Sequence, residues 1–227
     1  MNGEKETLSK AQAENIIEAA NQIISLCKEK VEAANDEFVN KVSQIWEDKN
    51  AVEYMKIHKE NFENFIEELG NNNKTFVQTV QDIGNAFLSA GNMGLTIAAA
   101  PLVIVPRIDV AKVKEYFENG ENSDDFGFIN ITTGPEEVIE AFNDLKTQLE
   151  KLINDAVQQI GKINAFGNHQ IVNNLALSAG KMVEILNGHV NTASTQVNEY
   201  VSSTALKYKN LGENATTSAN LSTEQVQ

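Results

Sequence analysis

Residues 9–46 read SKAQAENIIEAANQIISLCKEKVEAANDEFVNKVSQIW, and apolar side chains recur in this stretch every seven residues. The repeating positions are Ile17, Ile24, Val31, Phe38 and Ile45, with Ala20, Cys27 and Ala34 between them at spacings of three and four. Such a pattern is typical of a helix that buries one apolar stripe against neighbouring helices. Ser9 followed by Gln12 forms a capping box, which marks the beginning of a helix. The stretch therefore predicts a long first helix that ends near Trp46.

Three later segments carry the same repeat and predict three further helices. The second repeat consists of Met55, Phe62, Leu69, Phe76 and Ile83. Its phase is unchanged across residues 70–73, so we expect an unbroken helix there despite the glycine and three asparagines. The third repeat consists of Phe142, Leu149, Ala156 and Ile163, after a start at Pro135. The fourth consists of Val172, Ala176, Ala179, Val183, Leu186, Val190, Ala193, Val197 and Tyr200.

Short connections join the helices in two pairs. Only a few residues separate the first helix from the second near Trp46, and the third from the fourth near Phe166. Connections this short make the joined helices antiparallel neighbours. The predicted fold is mainly α: an elongated antiparallel four-helix bundle of two long helical hairpins with a small apolar insertion. The predicted boundaries are 1–90 for the first hairpin, 91–134 for the insertion, 135–210 for the second hairpin and 211–227 for a flexible tail.

The insertion begins in a segment that lacks charge. No ionisable side chain occurs from Gly84 to Pro106. Glycine, asparagine and proline interrupt this segment and no cluster of Lys or Arg flanks it, which disfavours a helix that permanently spans a membrane. Two β-branched or aromatic stretches, Leu102–Val105 and Phe126–Ile131, predict short strands that can pair as a hairpin. We expect the insertion to pack on the bundle.

Composition and motifs exclude several classes of function. The formal charge is −14, from 18 basic and 32 acidic residues, and it repels nucleic acid. The single cysteine, Cys27, excludes an internal disulfide and a cysteine zinc cluster. No phosphate loop, zinc-protease motif, nucleophile elbow or dinucleotide fingerprint occurs. We expect a protein that is not an enzyme and that uses no cofactor and no metal. The first thirty residues lack the apolar run of a Sec-type signal peptide.

The first hairpin resembles a known family around its turn. Residues 42–81, VSQIWEDKNAVEYMKIHKENFENFIEELGNNNKTFVQTVQ, are similar to the WXG100 (ESAT-6-like) proteins of type VII secretion, whose helical hairpin carries Trp-x-Gly at its tip. Trp46 stands where that tryptophan would be, and Asp48 replaces the glycine. In the second hairpin Phe166 and Gly167 replace the motif, and neither Tyr200 nor Tyr208 begins the Tyr-x-x-x-Asp/Glu export signal.

The resemblance implies a function and a set of candidate residues. WXG100 proteins commonly pair head to tail, and this chain looks like such a pair joined into one polypeptide. The family implies secretion without a leader peptide and a role as secreted partner, chaperone or effector. Its partners would be proteins, either secretion machinery or a second copy of the chain. The candidate tip residues are Trp46, Glu47, Asp48, Phe166 and Gly167. For Trp46, two interpretations stand: a structural cap over the end of the hairpin, or a contact for a secretion component.

Two alternatives belong to other classes. The order of two helices, an apolar tongue and two helices is similar to the helical pore-forming toxins of the ClyA and haemolysin BL kind. In that interpretation residues 91–132 refold on contact with lipid, and the membrane-contacting side chains would be Leu95, Ile97, Leu102, Val103, Ile104 and Val105. A further alternative is a cytoplasmic or phage-encoded scaffold protein.

Overall fold

The computed structural model describes residues 9–46, 48–89, 134–166 and 169–224, and these residues are mainly α-helical, as predicted. The helices are α1 Lys10–Ser25, α2 Val31–Ile45, α3 Lys49–Ser89, α4 Gly134–Asn164, α5 Gln170–Gln196 and α6 Ser202–Glu224. Two five-residue π-helical stretches, Leu26–Lys30 and Val197–Val201, connect α1 to α2 and α5 to α6. The described residues contain no strand, and their architecture is compatible with a helical bundle.

Several predicted helix boundaries are confirmed. The Ser9 hydroxyl accepts a hydrogen bond from the Gln12 backbone N–H at 3.3 Å, and the Gln12 side-chain oxygen accepts one from the Ser9 N–H at 2.8 Å. This reciprocal pair is the predicted capping box. Helix α3 runs without a break through residues 70–73, as the unchanged phase of its repeat predicts. Helix α4 begins at Gly134, one residue before the predicted start.

The seven-residue repeats form the core. Among the predicted stripe positions, these are buried: Ile17, Val31, Phe38, Met55, Phe62, Leu69, Phe76, Ile83, Phe142, Leu149, Ala156, Ile163, Val172, Ala176, Ala179, Leu186, Val190, Ala193 and Val197. Ile24, Ile45, Val183 and Tyr200 are half-buried. The π-helical stretches were not predicted, because one additional residue in a helical turn leaves no clear mark in an apolar pattern. Cys27 lies in the first of them, and burial raises the pKa of its thiol to about 12.

The chain divides into two compact units. Unit 1 comprises Met1–Ala34, Phe62–Pro106 and Gln148–Val190, and unit 2 comprises Asn35–Asn61, Arg107–Thr147 and Asn191–Gln227. Each unit therefore takes residues from both predicted hairpins.

In unit 1, α3 and α5 are antiparallel neighbours. The ring of Phe65 stacks on His189, and further along α3 the Asn72 side-chain amide donates a hydrogen bond to the Ser178 carbonyl at 3.0 Å. Residue numbers thus rise along α3 while they fall along α5. The middle of α1 lies beside the end of α4, where both helices line one groove of about 310 Å³.

In unit 2, α2 contacts both α3 and α4. The Phe38 ring lies 4.9 Å from the ring of His58 and 6.0 Å from that of Phe142, measured between centroids. Trp46 contacts Tyr54 on α3 and Gly134 at the start of α4, so both helices run antiparallel to α2. Helices α3 and α4 consequently run in the same direction. Parallel helices need a long connection rather than a tight turn, and residues 90–133 join these two.

Two other predictions concern the insertion and the C-terminal tail. The predicted insertion, residues 91–134, lies outside the described residues except for Gly134. Helix α6 continues through residues 211–224 of the predicted flexible tail. This part was missed because it carries no apolar stripe: Leu211 is 65% exposed. Once its first turns have formed, a helix extends through local backbone hydrogen bonds and needs no packed face. Among the described helices, none is both long and apolar enough to cross a membrane.

His189 is a titratable side chain in the core of unit 1. His189 is 5% exposed, and its ring stacks on Phe65 at a centroid distance of 4.3 Å and meets the edge of Phe62 at 5.7 Å. Its Nδ1 atom is buried without a hydrogen-bond partner. Burial lowers the pKa of the imidazole from 6.5 to about 4. The folded protein therefore holds His189 neutral at neutral pH and in mild acid.

Stability should consequently depend on His189 in mild acid. Between pH 6.5 and pH 4 the unfolded chain binds the His189 proton and the folded chain does not, so the stability present above pH 6.5 is lost as the pH falls. From about pH 7.5 to about pH 5, this group should lower the free energy of unfolding by about 2 kcal/mol. Urea unfolding at both pH values measures the loss. His189→Phe keeps an aromatic ring but removes the titration, so equal losses in the two proteins would contradict the prediction.

Candidate functional site

The turn between α2 and α3 is built around a buried carboxylate. Asp48 directly precedes α3, and its Oδ1 atom accepts hydrogen bonds from the backbone N–H groups of Asn50 at 2.6 Å and Ala51 at 2.9 Å. Its carbonyl oxygen accepts the first helical bond, from the Val52 N–H at 3.1 Å. An aspartate in this position satisfies backbone donors that the first turn of a helix leaves unpaired. Asp48 is therefore the N-cap of α3.

The other carboxylate oxygen of Asp48 accepts hydrogen bonds from two side chains, one of which belongs to α6. Oδ2 of Asp48 accepts hydrogen bonds from the Trp46 indole N–H at 3.1 Å and from the Tyr208 hydroxyl of α6. The Asn50 side-chain amide also donates to the Tyr208 hydroxyl oxygen. Asp48 is only 6% exposed, so these donors replace the water that a carboxylate would otherwise require. We name Trp46, Asp48, Asn50, Tyr54 and Tyr208 the turn cluster.

Trp46 lies inside the protein. Its side chain is 1% exposed, and its ring lies 6.1 Å from that of Tyr54. Gly134 packs against the other side: a Cβ atom at this position would lie 2.9 Å from Trp46 Cδ1 and 3.0 Å from the Ile45 carbonyl oxygen. Only glycine permits an approach this close without a shift. The indole fills the end of the α2–α3 hairpin, and both interpretations of Trp46, as a structural cap and as a contact for a secretion component, stay predictions.

The tyrosines around the turn are held protonated. Tyr54 is almost completely buried, and burial raises the pKa of its phenol well above the usual value. Its ring stacks on that of Tyr200 at 6.3 Å. The pKa of Tyr208 is also raised, first by burial and then by the hydrogen bond that its hydroxyl donates to Asp48. Each of these phenols is therefore neutral at physiological pH, and the Tyr208 hydroxyl donates its hydrogen bond to Asp48.

The other predicted site residues lie elsewhere. Phe166 belongs to unit 1, where its half-buried ring lines the groove between the middle of α1 and the end of α4. Glu47 and Gly167 are outside the described residues. The predicted membrane-contacting side chains are outside them as well: Leu95, Ile97, Leu102, Val103, Ile104 and Val105. Of the predicted tip residues, the structure brings Trp46 and Asp48 into direct contact.

Sequence reasoning missed three members of this region. Asn50, Tyr208 and Gly134 were not predicted to surround Trp46. The Gly134–Pro135 pair at a helix start was a visible signal, since glycine permits close approach and proline begins a helix. Tyr208 carried no signal, because it follows the last residue of the fourth repeat and its partner is 160 positions away.

The geometry of the turn cluster suits structure rather than reaction chemistry. Each carboxylate oxygen of Asp48 already accepts two hydrogen bonds from the protein. In the part of the chain that the structure describes, no three His, Cys, Asp or Glu side chains are placed to hold a metal ion. The cluster ties together α2, α3 and α6 within unit 2, and Gly134 brings the start of α4 against it.

Replacing Asp48 with glycine would restore the Trp-x-Gly motif of the family that the turn resembles. This change should lower the free energy of unfolding by about 2–3 kcal/mol, because the Trp46 N–H and the Tyr208 hydroxyl lose their acceptor. Tyr208→Phe removes one donor and leaves the helix cap intact, so it should cost only about 1 kcal/mol. Urea unfolding followed by Trp46 fluorescence compares the three proteins. An Asp48→Gly protein as stable as the parent would show that the carboxylate does not hold the turn.

Gly134→Ala tests the contact with Trp46 from the other side. The added methyl group should displace the indole or the first turn of α4 and lower the free energy of unfolding by about 1–3 kcal/mol. The control is Gly161→Ala in α4, where a Cβ atom would meet nothing within 4 Å. That change should stabilise the protein by up to about 1 kcal/mol, the usual helix preference for alanine. Equal effects of the two substitutions, measured by thermal unfolding, would rule out the close contact.

Comparison of the chain with protein-family models, with curated proteins and with solved structures gave no match.

Proposed function

We propose that this chain is a non-enzymatic helical-bundle protein that acts through contacts with other proteins, as a secreted partner, chaperone or effector similar to substrates of type VII secretion. Two observations support this proposal. One is the resemblance of residues 42–81 to the tip of a WXG100 hairpin. The other is the direction of the helices within each unit.

The direction of the helices is the observation that carries the proposal. In unit 2, α4 runs parallel to α3. The turn of the first hairpin meets the start of α4 at Gly134 and the α6 residue Tyr208. In unit 1, Phe166 at the turn of the second hairpin lies beside the middle of α1. A tip that meets the start of the other hairpin, as in unit 2, is the arrangement expected of two hairpins paired head to tail in one chain.

The charge of the protein agrees with a role in binding proteins. The net charge of −14 favours partners that present basic surface, and it disfavours nucleic acid. In the turn cluster the polar groups of Asp48 and Trp46 are already paired with each other and with Tyr208. The turn cluster therefore has a structural role, and exposed side chains would make the contacts with partner proteins.

Secretion is the property that tests the proposal. The full chain carrying an epitope tag would be produced in a Gram-positive host with an intact type VII secretion ATPase and in the same host with the ATPase disabled. We expect the protein in the culture supernatant only when the ATPase is intact. A cytoplasmic marker protein, measured in the same supernatants, controls for lysis. Retention in both cells would contradict the proposal and favour the scaffold alternative.

A second measurement separates the toxin alternative, which depends on residues 91–132. Purified protein would be added to dye-loaded vesicles of phosphatidylcholine and phosphatidylglycerol at neutral pH. The proposal predicts no leakage. Leakage that disappears when residues 91–110 are deleted would favour a membrane-active protein, provided that circular dichroism shows the deletion variant to be helical.

A further inference from the structure

Unit 1 contains helix-interior glycines that no close packing contact requires. A Cβ atom at Gly70, Gly161, Gly180 or Gly188 would meet nothing within 4 Å. Glycine in a helix interior lowers helix stability relative to alanine, because the unfolded chain has more backbone freedom to lose. In unit 2 the described helices contain one glycine of this kind, Gly212 in the exposed part of α6, and residues 35–45, 49–61, 135–147 and 191–210 contain none. Three of the four glycines lie on the two helices in contact, α3 and α5.

Unit 1 also buries polar atoms without partners on these same helices. Asn73 on α3 is 1% exposed, and neither polar atom of its side chain has a hydrogen-bond partner. On α5 the Ser178 hydroxyl and the His189 Nδ1 atom are likewise buried and unpaired. A buried polar group without a partner destabilises the folded state relative to an open one, in which water reaches it.

Unit 2 treats its buried polar side chains differently. The Asp48 carboxylate accepts hydrogen bonds on both oxygens, and His58 Nε2 lies 2.9 Å from Asn35 Oδ1. Unpaired atoms also occur there, namely the Tyr54 hydroxyl and one amide nitrogen each of Asn35 and Asn61. Among the described residues, the difference between the units thus rests on Asn73, which pairs neither of its atoms, and on the number of such glycines, four in unit 1 and one in unit 2.

Several of the glycines and unpaired polar side chains of unit 1 lie near one contact between α3 and α5. The hydrogen bond from Asn72 to the Ser178 carbonyl places Asn73 next to the point where α3 touches α5. Gly70 and Gly180 lie within two or three residues of that bond on their helices. Unnecessary glycine and unpaired polar atoms therefore coincide where the two helices meet.

We propose that unit 1 opens by local unfolding of α3 and α5 at their contact while unit 2 stays folded, and that this opening exposes the apolar stripe of α3 at Phe62, Leu69 and Phe76. Proteins open in cooperative parts whose free energies lie below that of global unfolding, and the least stable part opens first. The opened form is a minor state in equilibrium with the closed one. This inference does not depend on the proposed function.

Native-state hydrogen exchange of the full chain, read by mass spectrometry at sub-denaturing urea, tests the opening. Backbone amides of residues 62–85 and 170–190 should exchange through an opening that leaves residues 35–61 and 191–204 protected. In Gly70→Ala and Gly180→Ala, exchange of the first group should slow by about fivefold. Gly212→Ala is the matched control in unit 2, because a Cβ atom there also meets nothing within 4 Å. It should leave exchange in unit 1 unchanged.

Asn73 provides an independent arm of the same experiment. Asn73→Leu should slow exchange in unit 1 by about tenfold, because an apolar side chain replaces an unpaired amide in the core. Asn71→Leu, at an exposed position two residues away, controls for the change in helix preference and should have a much smaller effect. The inference is overturned if both groups of amides exchange in one step, or if the unit 1 substitutions slow exchange no more than Gly212→Ala and Asn71→Leu do.

Discussion

Burial of one apolar stripe along every helix is the constraint on which the rest of the structure depends. A repeat of seven residues keeps each stripe facing its neighbours over many turns, so long helices pack side by side instead of folding back as short ones. In unit 2 the stripe residue Phe38 contacts α3 and α4 together, and in unit 1 the stripe residue Phe62 contacts His189 on α5. Any polar group that falls on such a stripe must find a partner inside the protein or remain unpaired.

Asp48 shows how one side chain meets this constraint at a turn. The carboxylate caps α3 with one oxygen and receives Trp46 and Tyr208 with the other. A glycine at this position, as in the family that the turn resembles, could do none of this. The departure from the Trp-x-Gly motif therefore has a local physical reason: the aspartate compensates for burying an indole N–H and a tyrosine hydroxyl beside a helix terminus. The tight fit is completed by Gly134, whose missing side chain lets α4 reach the indole.

The two units combine similar helices with different treatment of polar groups. Around the turn cluster of unit 2, charged and aromatic groups are joined by hydrogen bonds across three helices. In unit 1 the seam between α3 and α5 holds a neutral histidine, an unpaired asparagine and glycines that no neighbour requires. Such a division lets the weaker part open while the other part stays folded. In our proposal, the glycines and the unpaired polar groups of unit 1 are the positions at which the chain opens.

Helix content, the capping box at Ser9, the two turns and the continuity of α3 across residues 70–73 were predictable from the sequence, because periodicity and capping are local properties of the chain. Asp48 as an N-cap is readable in the same way, from the residue type and its place before a helix. The π-helical stretches and the helical end of α6 were not predictable, since neither leaves a mark in the apolar repeat. The partners of Trp46 were decided only by the tertiary structure: Tyr208 and Gly134 lie far away in sequence, and their contact with the turn depends on which helices run parallel. The direction of α4 follows from packing between stripes, which local residue patterns do not encode.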